Sequence, residues 1–371
     1  MPFGLYIHVP FCQSRCPYCD FAFVVRKTHL AERYTQAVAC EIQTRLKSLA
    51  QPVFDTLYFG GGTPSAVPPQ LLDNILQVVR LHATLAPDAE LTVEANPGDQ
   101  GHFQTLFDLG INRLSVGVQA LTDRALKALG RFHTTQDAIT AYQMARKIGF
   151  ANIGIDLIFG VPEQTRTEWQ TILQNAIALG PEHLSIYGLT IEPGTNFGRR
   201  FEKGHLPLPV ESDQADMYLY AIDQLEAAGY EQYEISNFAQ PGFVSRHNRR
   251  YWIDQPYIGV GLSAHSYSNG VRSWNIRDLM GYMEAVEKTG MATEGEEQID
   301  SKAHFLEQIM LGLRQRQGVE AFVIETHQAT QSQLHYLLDH QLLERVGNRI
   351  RLTRHGLLLA DEVCAELVKN S

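Results

Sequence analysis

The segment Cys12-Gln13-Ser14-Arg15-Cys16-Pro17-Tyr18-Cys19 holds three of the five cysteines of the chain in a C-x₃-C-x₂-C spacing. Thiolates are soft ligands that favour zinc or iron–sulfur clusters over magnesium or calcium. Three of them on one short loop can bind three corners of a cubane cluster, which leaves one iron with an open site. The remaining cysteines, Cys40 and Cys364, lie in segments with helical patterns. The spacing therefore predicts a [4Fe–4S] site with the three protein ligands Cys12, Cys16 and Cys19.

Two alternatives stay open for this segment. One is a structural zinc site, although such a site needs a fourth ligand that the sequence does not offer. The other is three unrelated thiols. A disulfide framework is not expected, because the number of cysteines is odd and residues 1–6 lack the basic and apolar regions of an export signal. We therefore expect a cytoplasmic protein.

Short β-branched and aromatic runs alternate with helical patterns through the first half of the chain. The predicted strands are Leu5–Val9, Thr56–Gly60, Glu90–Glu94, Arg113–Gln119, Asn152–Phe159 and Leu184–Ile191. The predicted helices are Leu30–Leu49, Pro69–Thr84, Leu121–Leu129, Thr135–Ile148 and Arg166–Leu179. This alternation indicates parallel βαβ units with right-handed crossovers. It favours an α/β fold with a partial (β/α)6 barrel, in which the functional groups lie at the carboxyl ends of the strands.

The pattern changes near residue 200, so we predict a barrel domain over residues 1–200. Residues 201–300 are predicted to contain a linker, a helix over Ser212–Ala228 and a stretch rich in glycine and aromatic residues. Residues 301–371 are predicted to form a smaller, mostly helical and winged-helix-like C-terminal domain, with a tight hairpin at Val346–Ile350.

Composition excludes several classes of function. The chain has 371 residues, 44% of them hydrophobic, and a net charge of −10. An acidic chain without a block of lysine or arginine is not expected to act mainly on nucleic acid. No apolar stretch approaches the ~18 residues that a membrane span requires.

The C-x₃-C-x₂-C spacing, directly after a first strand and before aromatic residues, resembles the radical S-adenosylmethionine (SAM) superfamily. The resemblance implies that SAM chelates the open iron. It also implies that the glycine motif Gly60–Pro64 approaches the methionyl part of SAM. Further SAM contacts are implied at polar and aromatic positions of the strands and loops. The cofactor-binding residues expected in this way are Tyr6, Tyr18, Gly61, Gly62, Thr63, Glu94, Gln119, Arg131 and Asp156.

The sequences of the motifs are similar to those of the oxygen-independent coproporphyrinogen oxidase-like group. The resemblance covers nearly the whole chain. Two features differ from the coproporphyrinogen dehydrogenase of that group. Phe21 occupies the position of a fourth cysteine, and the first strand begins almost at Met1, without the N-terminal extension of that enzyme. Both features match the HemW family of heme chaperones, as does the H-N-R-R-Y-W segment His247–Trp252.

The resemblance to HemW proteins implies that the chain binds heme. A histidine is the usual axial ligand of heme iron, so His247 is the predicted heme-binding residue. Neighbouring aromatic rings offer a flat apolar face, and the arginines of the segment can meet propionates. The alternative is that His247 and Trp252 have a structural role, His247 or Trp252 capping a helix and both filling the contact between two domains.

The function expected is that of a heme chaperone with a [4Fe–4S] cluster and SAM. Its expected partners are heme, recipient hemoproteins of the respiratory chain, also at the membrane surface, and an electron donor. The alternative is an enzyme, a coproporphyrinogen III dehydrogenase, and the sequence leaves open whether the chain is an enzyme. Phe21 and the absent extension speak against that alternative.

Overall fold

The structure is a computed structural model that describes residues 2–47, 49 and 51–369. Residue 48 of the predicted helix Leu30–Leu49 lies outside the described residues. The predicted α/β class is confirmed, since a parallel sheet with helices on one of its faces forms the main body.

The main sheet contains all six strands that the sequence predicts. These strands are β1 (Phe3–Val9), β4 (Val53–Gly61), β5 (Thr84–Ala95), β6 (Arg113–Gln119), β7 (Ile153–Phe159) and β8 (His183–Gly188). They lie side by side in this order and are parallel. Two short strands after β1, β2 (Phe11–Cys12) and β3 (Val24–Val25), pair with each other across the cysteine segment.

The helices between these strands cover one face of the sheet. They are α1 (Ala31–Lys47), α2 (Pro69–His82), α3 (Phe103–Asp108), α4 (Asp123–Ala128), α5 (Thr135–Ile148) and α6 (Arg166–Leu179). The apolar residues of the strands point to this face: Leu5, Ile7 and Val9 of β1 are fully buried in one core with residues of α1. Successive side chains of a strand point to opposite faces. The alternate residues of the same strands therefore form a second face, which we call the inner face.

The sheet continues beyond residue 200, which the sequence did not predict. β9 (Glu231–Gln232) and β10 (Asn237–Ala239) extend it beside β8, and β11 (Tyr257–Val260) lies parallel to β1. β12 (His265–Ser268), β13 (Val271–Asn275) and β14 (Thr293–Gln298) follow β11 in antiparallel order. The helices of this part are α7 (Asn196–Glu202), α8 (Glu211–Ala227), α9 (Arg246–Trp252) and α10 (Leu279–Thr289). The domain division at residue 200 remains a prediction, and the sheet takes strands from both sides of it.

The last part of the chain has a separate apolar core. It contains α11 (Ser301–Leu313), β15 (Val319–Glu320), α12 (Ala321–Glu325), α13 (Gln328–Asp339), β16 (Leu343–Val346), β17 (Arg349–Leu352), α14 (Arg354–Leu357) and α15 (Ala360–Leu367). β16 and β17 form the predicted hairpin, and β15 pairs with β17. None of the described helices combines the length and the apolar composition that crossing a bilayer requires.

Glu41 of α1 connects the first and later parts of the main body. Its side chain is fully buried and accepts four hydrogen bonds or ion-pair contacts of 2.7–2.9 Å. The donors are Arg45 Nε, the Gly261 backbone N–H, Asn275 Nδ2 and Tyr282 Oη. A buried carboxylate is tolerated when its oxygens are paired in this way.

We expect Glu41→Ala to destabilise the protein by about 3–5 kcal/mol, because it leaves the buried donors of Gly261, Asn275 and Tyr282 without their acceptor. Chemical denaturation of the variant measures this free energy of unfolding. The matched control is Glu287→Ala, which removes an exposed ion pair with Arg33 and is expected to cost no more than about 1 kcal/mol. Equal effects of the two substitutions would contradict the connecting role of Glu41.

Candidate functional site

The cysteine loop is fixed at the carboxyl ends of the parallel strands. It leaves β1 through Pro10, and its return strand β3 donates from the Val24 N–H to the Pro10 carbonyl (2.8 Å). The N–H groups of Gly62 and Thr63, which follow β4, donate to the carbonyls of Val9 and Phe11 at 2.9 Å. The end of β4 and the start of the cysteine loop therefore form one hydrogen-bonded unit.

The three loop cysteines lie close to polar groups of neighbouring strand ends. Cys12 Sγ is 3.7 Å from Thr63 Oγ1, and Arg131 Nη1 donates to Cys16 Sγ at 3.4 Å. Burial raises the pKa of Cys12 to about 11 and also raises the pKa of Cys19. A thiol with a raised pKa becomes a thiolate when a metal supplies positive charge. The donor set therefore fits a metal centre.

The three thiols of the cysteine loop are compatible with a cluster. Within the described residues, no group of three His, Cys, Asp or Glu side chains is arranged to hold one metal ion. A [4Fe–4S] cluster binds each thiolate through a different iron atom, so its cysteines need not converge on one point.

Close packing around the backbone requires glycine at two positions of the glycine motif. A Cβ on Gly62 would lie 2.6 Å from the carbonyl carbon of Pro10, and a Cβ on Gly61 would lie 2.5 Å from the His8 ring. Gly61 also has a φ of +114°, which favours glycine. The family resemblance attributes these glycines to the approach of SAM, but the packing of the protein itself already requires them.

Glu94 and Asp156 face each other across the inner face. Glu94 accepts hydrogen bonds from Tyr58 Oη (2.8 Å) and the Gly61 N–H (3.0 Å). Ser115 Oγ lies 3.4 Å from Asp156 Oδ2. Burial raises the pKa of Asp156 and raises the pKa of Glu94 to about 7, and Asp156 adds to the increase for Glu94. Ionised carboxylates here can accept hydrogen bonds from a diol such as a ribose.

Arg131 is held in place by three contacts. Besides Cys16 it donates from Nη2 to the Gly117 carbonyl (3.0 Å) and to the Asn96 side chain. Asn96 in turn donates to Thr63 Oγ1 at 3.0 Å. Gln119 ends β6 with a φ of +66°, next to a register shift against β7. The structure thus places Arg131 and Thr63 beside the cysteines and Gln119 at the end of β6.

The two predicted tyrosines occupy different places. Tyr6 lies on the inner face, donates or accepts a 3.0 Å hydrogen bond with His8 Nδ1 and stacks on Tyr58. Tyr18 belongs to the cysteine loop and packs against Phe197 of α7 at 6.3 Å between ring centroids. Burial raises the pKa of both tyrosines, so both are neutral at physiological pH.

Sequence reasoning missed several residues that build the site. They share one signal, an alternation of apolar and polar residues along each strand, as in R-L-S-V-G-V-Q of β6. The polar positions all point to the inner face. The residues found only in the structure are His8, Thr56, Tyr58, Thr92, Asn96, Arg113 and Ser115.

Comparison with known protein families identifies this arrangement. Residues 6–176 match the Radical SAM superfamily. Over 369 residues the chain is 35% identical to the heme chaperone HemW of Bacillus subtilis (strain 168), covering 96% of this chain and 97% of that protein. It is 38% identical over 293 residues to HemW of Escherichia coli (strain K12), covering 76% of each. The chain belongs to the HemW family of the radical SAM superfamily.

The fold agrees with this membership. The solved structure of coproporphyrinogen III oxidase (HemN) from Escherichia coli, a radical SAM enzyme, has a TM-score of 0.87. It covers 99% of this chain and 90% of its own, at 24% sequence identity. This likeness confirms the predicted radical SAM fold.

His247, which begins the HemW-like motif, lies away from the cysteines. It contacts Thr56, which precedes Gly61 by about 16 Å along β4. Its ring is 1% exposed, with Nδ1 2.8 Å from Thr56 Oγ1 and Nε2 2.9 Å from Tyr251 Oη. Burial lowers the pKa of His247 to about 3, so the ring is neutral. Since both ring nitrogens are hydrogen-bonded, heme ligation by His247, which stays a prediction, would require the hydrogen bond at the ligating nitrogen to break.

The second half of the same motif lines a cavity of about 420 Å³. Trp252 and Arg249 contribute from α9, Tyr230 and Tyr233 from the segment around β9, and Arg316 from the C-terminal part. Among the described residues, neither Arg249 nor Arg316 has an ion-pair partner. The cavity therefore combines aromatic rings and two guanidinium groups without ion pairs, and its lining also contains the carboxylates of Glu226 and Glu231.

We expect Gly62→Val to disturb the cysteine loop itself, because its side chain would displace Pro10 two residues before Cys12. The variant should bind less iron and unfold at a lower temperature, measured by iron assay and circular dichroism after reconstitution. The matched control is Gly98→Val in the next strand-end loop, where a Cβ meets nothing within 4 Å. Full iron content in Gly62→Val would show that the loop tolerates the contact.

Proposed function

We propose that this protein is a heme chaperone that binds heme, carries a [4Fe–4S] cluster and SAM, and delivers heme to other hemoproteins. The observation that carries the proposal is the cavity beside α9, in a chain that matches HemW proteins over nearly its full length. Aromatic rings suit the porphyrin plane, and guanidinium groups suit its carboxylates.

Cys12, Cys16 and Cys19 would hold the cluster at the ends of β1 and β4. Arg131, which donates to Cys16, would orient that thiolate and add positive charge beside it. Thr63 would steady Cys12 from the glycine motif. When bound, the cluster and SAM supply one-electron chemistry.

SAM would lie across the strand ends, over the inner face. Glu94 and Asp156 would accept the ribose hydroxyls, with Gly61, Gly62 and Thr63 along the methionyl part and Tyr6, Tyr18 and Gln119 around it. The hydrogen bonds from Tyr58 and Gly61 fix the Glu94 carboxylate before SAM arrives, so little conformational freedom is lost on binding.

The partners follow from the same proposal. The recipients would be hemoproteins of the respiratory chain, reached at the membrane surface, and an electron donor would reduce the cluster. The protein would work in the cytoplasm and would leave coproporphyrinogen unchanged. Incubation of the reconstituted protein with SAM, a reductant and coproporphyrinogen III under anaerobic conditions tests this last point, since formation of vinyl products would establish the dehydrogenase instead.

Cys16→Ser should remove most of the bound iron, because a cluster with three protein ligands loses a corner and the contact with Arg131 disappears. Iron and sulfide assays after anaerobic reconstitution measure the loss. Cys40→Ser is the matched control, since Cys40 is exposed on α1. Retention of a full cluster by Cys16→Ser would refute the ligand set.

The double variant Arg249→Ala/Arg316→Ala should bind hemin at least tenfold more weakly, because one hydrogen bond to a charged group contributes about 1.5–3 kcal/mol and about 1.4 kcal/mol is a factor of ten. Absorbance titration with hemin measures the affinity. Arg80→Ala, an exposed arginine that donates to the Leu109 carbonyl, is the control.

His247→Gln in the same titration separates the two candidate heme sites. An unchanged Soret band with lower thermal stability is expected from the buried position of His247. A lost or shifted Soret band in His247→Gln, with normal binding by the arginine double variant, would instead support His247 as the ligand.

A further inference from the structure

Arg113 is a buried cation that the proposed roles leave unexplained. Its side chain is 1% exposed, and its Nε and Nη1 atoms have no hydrogen-bond partner in the structure. In strands β1 and β4 to β8 as described, it is the one lysine or arginine. A buried guanidinium is costly unless other charges compensate it.

The register of the sheet places Arg113 one layer below Glu94, and Asp156 lies two residues beyond Gly154, which is opposite Ser115. Arg113 is opposite Thr92, and two residues further along the same strands Ser115 is opposite Glu94. Ser115 in turn contacts Asp156. Two residues of a strand span about 7 Å. Gly154 makes room for the guanidinium, since a Cβ there would lie 3.2 Å from Arg113 Nη2.

Among the residues that the structure describes, no other carries positive charge at this level of the inner face. Burial lowers the pKa of His8 to about 4, of His247 to about 3, and of His183 well below its usual value, so these rings are neutral. Arg131 lies at the cysteine loop and Arg250 pairs with Asp55 at the opposite end. Two buried carboxylates without a counter-charge would take up protons.

We propose that Arg113 is a positioning residue for SAM binding, whose guanidinium keeps Glu94 and Asp156 ionised so that they can accept the ribose hydroxyls. This inference rests on the proposed function, because it assumes that SAM binds over the inner face. A protonated carboxyl group donates from one oxygen and cannot accept hydrogen bonds from two hydroxyls in the same way.

The pH dependence of SAM binding is then set by these two carboxylates. The pKa of Glu94 is raised to about 7 by burial, so its ionised form is lost as the pH falls through 7. The charge of Arg113 lowers the pKa of both Glu94 and Asp156, against the effect of burial. The other titratable groups facing them are Tyr6 on β1, Tyr58 on β4, Tyr187 on β8 and Tyr251 on α9, with His8 beside Gly61. None of these changes its charge between pH 6 and 8.5, because burial raises the tyrosine pKa values and lowers that of His8.

The test measures SAM binding to the cluster-reconstituted protein by equilibrium dialysis from pH 6 to 8.5. For the wild-type protein, affinity should fall as the pH falls through about 7. Arg113→Met should move this midpoint upward by about one unit. It should therefore bind SAM about fivefold more weakly at pH 7 but within about twofold of wild type at pH 8.5, since one unit is tenfold in proton affinity.

Two further variants keep the test decisive. Arg113→Lys retains a positive charge and should keep the wild-type midpoint, whereas Thr92→Val removes a polar neighbour without changing charge and should leave the midpoint in place. A wild-type midpoint in Arg113→Met, or weakening that is equal at every pH, would overturn the role of Arg113 while leaving SAM binding established. If Arg113→Met does not fold, Arg113→Gln replaces it as the uncharged variant. Equal pH midpoints of SAM binding for Arg113→Lys and Arg113→Gln would then overturn the role of Arg113. Absence of SAM binding by the wild-type protein at every pH would refute the cofactor site and the inference together.

Discussion

A strand must point every second side chain away from the helices that cover it, and in this protein those side chains are polar. The apolar set of β1 and β4 to β8 supplies the core against α1 to α6, whereas the alternate set forms the inner face. In many α/β barrels the inward positions carry branched apolar residues that fill the interior. Here they carry carboxylates, hydroxyls and a guanidinium, so the interior of the sheet is built for binding.

The polar inner face explains the arrangement of its two ends. At the carboxyl ends of the strands, Glu94 is fixed by Tyr58 and Gly61, and the cysteine loop is fixed by Gly62 and Thr63. At the opposite end, α9 closes the sheet, with Glu90 accepting from the first backbone N–H groups of the helix and His247 buried against Thr56. A buried polar face is stable only when its groups are paired, and α9 supplies partners that the strands lack. The segment His247–Trp252 thus has two groups of residues. His247 packs against the inner face, whereas Trp252 and Arg249 line the cavity.

The cysteine loop and the neighbouring strand ends form one hydrogen-bonded unit. Gly62 packs on Pro10, Gly61 donates to Glu94, and Asn96 connects Thr63 with Arg131. Residues from β1, β4, β5 and the segment after α4 therefore depend on one another for their positions. Because these contacts are hydrogen bonds and close backbone approaches, a small displacement at one strand end is transmitted to the cysteines.

The sequence by itself indicated the six parallel strands, the helices between them and three candidate metal ligands. Alternating strand and helix patterns depend on local periodicity, and the C-x₃-C-x₂-C loop depends on spacing within eight residues, so both were predictable without long-range information. The roles of Gly62, His247 and Arg113 were decided only by the tertiary structure. Pro10 is 52 residues from Gly62, Thr56 is 191 from His247, and the carboxylates above Arg113 lie on other strands. The fold brings neighbours together across such separations. These neighbours determine whether a glycine is required, whether a histidine is free and whether a buried charge has a counterpart. No local sequence pattern encodes these contacts.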